Sequence, residues 1–351
     1  MTWYQQPIAP FDQAAADAAL IRTNQLTKPP GSLGQLEAIV VQLAGLQSTA
    51  IPSVEKKHIS IFAADHGVVS EGVSAFPQQV TKLMIDNFAR GGAAINVLAK
   101  HNSCSFEVIN LGLASSTPFD SIKGVRHELV ANGTHNICEQ AAMSEAQLVQ
   151  ALNIGRSAVQ RHFPEMDLFI GGEMGIGNTT SAAALSCALL NHKAADIVGY
   201  GTGIDESAKK IKVKVVEKAL ALHEAHLSEP LSVLRHLGGF EIAALVGAYI
   251  ASAQAKVPVV VDGFICTTAA LLAARINSGV RPWFIFSHQS AEQGHAYLLQ
   301  ALNAKPILAL DMRLGEGSGA AMVLPIIDLA CKLHQEMASF EEAGIASDTA
   351  D

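Results

Sequence analysis

Aromatic side chains are scarce, at 5% of the 351 residues, and charged ones reach only 16%. Apolar residues make up 49%, which excludes a disordered chain and predicts a core-rich globular one. The chain has no basic run and no interleaving of basic with aromatic residues, and its formal net charge is -8. Nucleic acid is therefore not an expected partner. Cysteines are few and scattered: Cys104, Cys138, Cys187, Cys266 and Cys331 form no CxxC pair. That speaks against a zinc ribbon or a disulfide frame and for reduced thiols in a cytoplasm. Long hydrophobic runs are missing too. The longest apolar helix candidate, 242–253, falls short of the roughly 20 residues a bilayer requires, so no membrane partner is expected. The segment 1–19 carries Asp12 and Asp17 and no basic region ahead of an apolar one, so it does not read as a signal peptide.

What the chain does have is glycine, placed after short apolar runs. The stretch Arg313-Leu314-Gly315-Glu316-Gly317-Ser318-Gly319-Ala320 sets one carboxylate on a bare turn ahead of an apolar helix, with Ser318 expected as its cap. Strand candidates at 59–64, 106–111, 168–170, 257–261 and 283–286 alternate with helix candidates at 77–88, 144–162, 181–190, 241–253 and 266–275. That alternation predicts an α/β fold: a mostly parallel, Rossmann-like sheet with helices on both faces. Two N-terminal helices, the second capped by Ser32, and a last helix over 320–337 fall outside it. They predict a small helical domain from 1–55 together with 312–351, beside a large α/β domain over 56–311. Lys28, between them, reads as a solvated loop charge. The stretch 115–138 is polar and irregular, with no element assigned.

Polar residues recur just past the strands: Asp65-His66, Glu173, Asp262 and Ser287-His288. Parallel strands joined by right-handed crossovers put these tips along one edge, where open α/β sheets bind ligands. Gly171-Gly172-Glu173-Met174-Gly175-Ile176-Gly177-Asn178-Thr179-Thr180 is a strand, a glycine turn and a helix start, the geometry that offers backbone N–H groups to a phosphate. A second glycine cluster, 199–203, leads into a helix bearing Lys209, Lys210, Lys212 and Lys214. Three chemistries fit these residues. One is group transfer at a sugar-phosphate carbon, with a phosphate cradle, Glu316 as base and an apolar wall at Phe76, Pro77 and Met84. Another is metal-assisted hydrolysis by Asp65, His66, Glu173, Asp262 and His288, although HExxH, HxH and DxD spacings are missing. The third is a nucleotide-binding module without catalysis.

Six stretches, taken in order, resemble a known family. They are Lys28-Pro29-Pro30-Gly31-Ser32-Leu33-Gly34, Ala64-Asp65-His66-Gly67-Val68, Gly91-Gly92-Ala93-Ala94-Ile95-Asn96, the Gly172-to-Thr180 turn, Asp262-Gly263-Phe264 and the Glu316 loop. Together they resemble nicotinate-nucleotide–dimethylbenzimidazole phosphoribosyltransferase over nearly the whole chain. The resemblance implies transfer of ribose 5-phosphate from nicotinate mononucleotide to a benzimidazole base in cobalamin nucleotide-loop assembly. It also implies a homodimer closed over the site by the partner's small domain, and no metal or redox cofactor. By the same resemblance Glu316 is the general base and Glu173 supports charge at the sugar. Lys212, Gly175, Asn178, Thr179 and Gly203 face the phosphate. Asp262, Ser287 and His288, as strand tips, are read as part of the substrate site, and Phe76, Pro77 and Met84 line the base pocket by the resemblance. A helix N-terminus would favour the ionised form of Glu316 and weaken it as a base, whereas burial would do the reverse. Burial is expected to win once the base is bound.

Overall fold

The computed structural model describes residues 2–114, 124–201, 203 and 205–345. Two helices, α1 (Gln13–Gln25) and α2 (Gln35–Gln47), precede β1 (Lys57–Ala64), α3 (Gln79–Arg90), α4 (Ala94–His101), β2 (Ser105–Gly112) and β3 (Val125–His127). Then come α5 (Glu145–His162), β4 (Leu168–Met174), α6 (Asn178–Leu190), α7 (Ala194–Ile197), α8 (Glu206–His223), α9 (Pro230–Leu237) and α10 (Phe240–Gln254). The chain continues through β5 (Val259–Val261), α11 (Phe264–Ile276), β6 (Phe284–Phe286), α12 (His295–Ala301), α13 (Ser318–Met322) and α14 (Leu324–Glu336). The six strands form one sheet in the order β3-β2-β1-β4-β5-β6, and every neighbouring pair is parallel. The order reverses between β1 and β4, and at such a switch point the loops diverge and leave a crevice beyond the strand ends.

Strand residues alternate strictly between two apolar cores, as a period of two requires. Ile59, Ile61, Leu168, Ile170, Val260 and Ile285 face the core shared with α2, α3, α4, α13 and α14. Phe62, Phe169, Val259, Val261, Phe284 and Phe286 face the core made with α5, α6, α10 and α11. Residues 240–253 of α10 are all buried, so its unbroken apolar run serves a helix enclosed on every side. Among the described residues, no helix is long and apolar enough to cross a membrane. α10 meets α5 backbone to backbone. A Cβ on Gly155 would lie 1.8 Å from the Ala244 carbonyl oxygen, and one on Gly247 would lie 2.1 Å from that of Leu152.

Several local expectations are corrected. Ser32 caps nothing: α2 starts after Gly34, and the Glu37 carboxylate instead accepts the N–H groups of Gly31 at 3.1 Å and Leu33 at 2.9 Å. Lys28 is buried and ion-paired with that carboxylate at 2.9 Å, not solvated. Pro77 stands in a turn two residues ahead of α3. Part of the irregular stretch, 115–123, lies outside the described residues, but β3 follows it as an edge strand with no apolar run to announce it. The last helix is two, because the ring of Pro325 has no N–H to continue α13 and opens α14 instead. Through Ile39, Leu43, Leu324 and Ile327, the N- and C-terminal helices share the sheet's own apolar core.

Candidate active site

A cavity of about 740 Å³ opens at the C-terminal edge of the sheet. Of the residues singled out from the sequence, Glu316, Glu173, Gly175, Asn178, Thr179, Asp262, His288, Phe76 and Met84 line it. Lys212, Gly203, Ser287 and Pro77 are not among the lining residues. Lys212 lies behind the wall and donates to Thr179 Oγ1 at 2.7 Å. Ser287 is buried, with its hydroxyl 3.0 Å from His288 Nδ1. Gly203 and Pro77 are exposed. Asp65 and His66 do not reach the cavity either. Asp65 accepts the Ala114 N–H at 2.9 Å, tying the tips of β1 and β2 together, and His66 turns into the interior toward Glu241.

The loop bearing Glu316 is built by backbone conformation. Gly315, Glu316 and Gly317 are all left-handed, with φ of 86°, 63° and 75°. Only the middle residue has a side chain, and such a conformation in a non-glycine residue costs energy that the surrounding fold must sustain. The fold sustains it by contact. A Cβ on Gly172 would meet the Glu316 carbonyl oxygen at 2.7 Å, and one on Gly319 would meet His288 Nδ1 at 2.1 Å. Asp262, at the tip of β5, accepts the N–H groups of Gly317 at 3.2 Å and Ala320 at 2.9 Å. The expected Ser318 cap is absent; its hydroxyl donates back to Gly315 O at 2.6 Å, and Asp262 takes the capping role from another strand.

Three carboxyl groups therefore share one wall. Burial pushes Glu316 up to about 7, with the Asp262 charge adding to it. Its Oε2 is buried and has no hydrogen-bond partner among the described residues. Burial thus outweighs the helix end without a bound base, because α13 is only five residues long and its first N–H groups are already taken by Asp262. Glu173 is held well above the usual carboxyl range by burial and by the charges of Glu241, Asp262 and Glu316. It accepts hydrogen bonds from Asn178 Nδ2 and from the backbone of Glu316, so it joins the glycine turn before α6 to the Glu316 loop. Burial also raises Asp262, against the pull of His288, whose Nδ1 is 3.9 Å away.

Arg313 lines the cavity and Lys212 lies behind its wall, so part of the site is cationic and polar. Arg313 donates to Gly201 O at 3.0 Å, and burial lowers Lys212 to about 8 against the raising effect of Glu292. Thr179 stands in the first turn of α6, between Lys212 and the cavity. Phe76, Val80, Met84, Met174, Ile176 and Leu314 supply an apolar flank. Sequence reasoning left out Arg313, Gly201, Ser290 and Glu292 as site residues. Arg313 was visible in the glutamate loop and Gly201 in the glycine cluster 199–203, but nothing local marks Ser290 and Glu292, which enter because 290–292 fold beside the cavity. Among the described residues, His58, Glu107 and His162 are the one group of three or more whose ligand-type atoms lie close together. They lie at the other end of the strands, where Arg161 pairs with Glu107 at 3.2 Å. The two imidazoles stack at 3.6 Å, and both Nε2 atoms lie 3.5 Å from Glu107 Oε1.

Comparison with known proteins agrees with this geometry. The family model described as phosphoribosyltransferase (DBI_PRT) matches residues 8–345. The nicotinate-nucleotide–dimethylbenzimidazole phosphoribosyltransferase of Ectopseudomonas mendocina is 53% identical over 99% of this chain and 98% of its own. That of Xanthomonas oryzae pv. oryzae is 55% identical over 98% of each. A crystal structure of the Thermus thermophilus enzyme superposes with a TM-score of 0.89 at 41% identity, covering 95% of this chain and 99% of that one. A second structure from that organism, described as CobT, gives 0.90. With its six-stranded parallel sheet, its cavity beyond the strand ends and its sequence over nearly the full length, the chain belongs to the nicotinate-nucleotide–dimethylbenzimidazole phosphoribosyltransferase family.

Proposed function

We propose that Glu316 is the general base of this cavity, in a reaction the family membership fixes. The protein transfers the phosphoribosyl group of nicotinate mononucleotide to 5,6-dimethylbenzimidazole, giving α-ribazole 5′-phosphate and nicotinate. The observation that carries the assignment is a carboxyl with a pKa of about 7 and a partner-free oxygen on the cavity wall. One benzimidazole nitrogen attacks C1′ of the ribose as the C1′–pyridinium bond breaks and its electron pair returns to the ring. The other nitrogen's proton becomes acidic as the ring turns cationic, and Glu316 accepts it. Attack on the face opposite the leaving group inverts the sugar from β to α. A base with its pKa near the working pH is well matched to that transfer.

The donor phosphate is assigned to the polar part, under Thr179, Lys212 and the first turn of α6, with Arg313 beside it. The acceptor ring is assigned to the flank of Phe76, Val80 and Met84. Burial raises Glu173 and Asp262, and positive charge arriving beside them favours their carboxylate forms. Charge that grows on the ribose as the pyridine departs is therefore stabilised more in the transition state than in the ground state. Gly203, Ser287 and Pro77 are kept as residues that order this wall. We further propose a cytoplasmic homodimer, the partner covering the mouth where Phe76, Leu83 and Leu314 are exposed, and 1–55 with 312–351 as the helical unit that carries the glutamate loop. Replacing Glu316→Gln tests the central assignment. Turnover should drop roughly 10²–10⁴-fold while nicotinate mononucleotide still binds, and near-normal turnover would remove Glu316 from the role.

A further inference from the structure

Behind the cavity lies a buried histidine–glutamate contact that the reaction as described does not use. We propose that Glu241 and His66 are positioning residues of the transfer reaction: from behind the wall they hold the Gly175–Gly177 turn and, through Asn178, the Glu173 carboxyl. The inference rests on the reading of the cavity given above.

His66 follows the tip of β1 and is 1% exposed, while Glu241, in the first turn of α10, is 0% exposed. His66 Nε2 lies 2.6 Å from Glu241 Oε1, and Glu241 Oε2 is buried with no partner among the described residues. The imidazole is wedged. A Cβ on Gly175 would lie 3.4 Å from its Cδ2, one on Gly177 3.2 Å from its Cβ, and one on Gly239 2.4 Å from its Cε1. The ring thus fills the space between the start of α10 and the glycine turn that opens α6. That turn ends at Asn178, which donates to Glu173. Neither His66 nor Glu241 lines the cavity, so they act through the turn and not by touching substrate.

Fold stability does not by itself call for this arrangement, since apolar side chains of similar volume often replace a buried ion pair without loss. The pair also sets the field at Glu173. Facing that carboxyl are Glu241 from α10, Asp262 from the tip of β5 and Glu316 from its loop, and after burial the Glu241 charge raises it most. Facing Glu241 are His66 and Asp65 from the β1 tip and Glu173 from β4. Glu316 is raised by burial and Asp262 and not by Glu241.

The test is Glu241→Gln, which keeps an acceptor for His66 and removes the charge. Wild type and variant are compared for thermal unfolding, for kcat and KM with nicotinate mononucleotide and dimethylbenzimidazole, and for the pH profile of kcat. The expected result is kcat down about tenfold with the donor KM changed less than about threefold. The limb near pH 7 from Glu316 stays in place, and the remaining carboxyl limb moves to lower pH. Wild-type kcat with an unshifted profile in a folded variant overturns the proposal. If Glu241→Gln does not fold, His66→Gln is measured the same way, and failure of both to fold makes the pair a stability element and overturns it equally. A wild-type protein without phosphoribosyl transfer would sink the reaction itself, whereas normal wild-type turnover with an indifferent Glu241→Gln sinks the pair alone.

Discussion

Glu316, a non-glycine residue in the left-handed region at φ 63°, is the proposed base, and its environment makes its titration observable. Its carboxyl is raised from 4.5 to about 7 by burial. As the base it must be ionised, so kcat should rise with pH through about 7 and then level, and a Glu316→Gln protein should show no such limb. Stability has the opposite sign. The folded state holds this proton more tightly than the unfolded chain, so the contribution is present below about 4.5 and is lost as pH rises through about 7. Urea unfolding from pH 5 to 8 should therefore fall less steeply with pH in Glu316→Gln than in wild type. Lys212 makes a separable claim. Its ammonium, lowered to about 8 by burial, is assigned to the phosphate, so Lys212→Met should raise the KM for nicotinate mononucleotide at least about tenfold and leave that for the acceptor within about twofold. Steady-state kinetics in both substrates check this.

Elements place these residues more than local sequence does. The loop around Glu316 keeps its shape because a different strand, β5, ends in Asp262 and grips the start of α13. Asp262→Ala should therefore lower kcat about as far as loss of the base. It should also move the surviving acid limb below 7, because the charge that adds to the raised pKa of Glu316 is gone. The pH dependence of residual turnover measures it. At the α5–α10 contact the backbones touch at Gly155, where a methyl group would fall 1.8 Å from the Ala244 carbonyl. Gly155→Ala forces those helices apart at an overpacking cost of about 1–3 kcal/mol, seen as a lower denaturant midpoint with kinetics unchanged in the folded fraction. At this scale the sequence was legible where periodicity is strong: the helix opening at 144, the strand within 257–261 and the helix over 241–253 all formed as read. It was not legible at Ser32 and Ser318, where a glutamate and an aspartate from elsewhere supply the acceptors, nor at β3, a short edge strand without an apolar run.

At the scale of the whole molecule, the reversal of strand order between β1 and β4 opens the crevice, and the parallel sheet brings Glu173, Asp262 and His288 to its rim. The proposed homodimer should sediment at twice the 36.9 kDa chain mass by analytical ultracentrifugation, and Leu83→Glu, at an exposed position on α3, should shift it toward the monomer. The sequence by itself determined the α/β class, the edge at which ligands bind, and the loop and turn that carry Glu316 and Glu173. All of these follow from short-range patterns: alternating apolar runs, glycines at fixed offsets, polar residues after strands. Only the tertiary structure decided which polar tips meet. Asp65 and His66 read from sequence like the other tips, yet the fold turns them inward to Ala114 and Glu241. Gly201 and Glu292 come to the cavity from segments distant from the glutamate loop. The raised pKa of Glu316 belongs to the same class of fact, since burial and a neighbouring charge are properties of residues far apart in the chain and no local pattern encodes them.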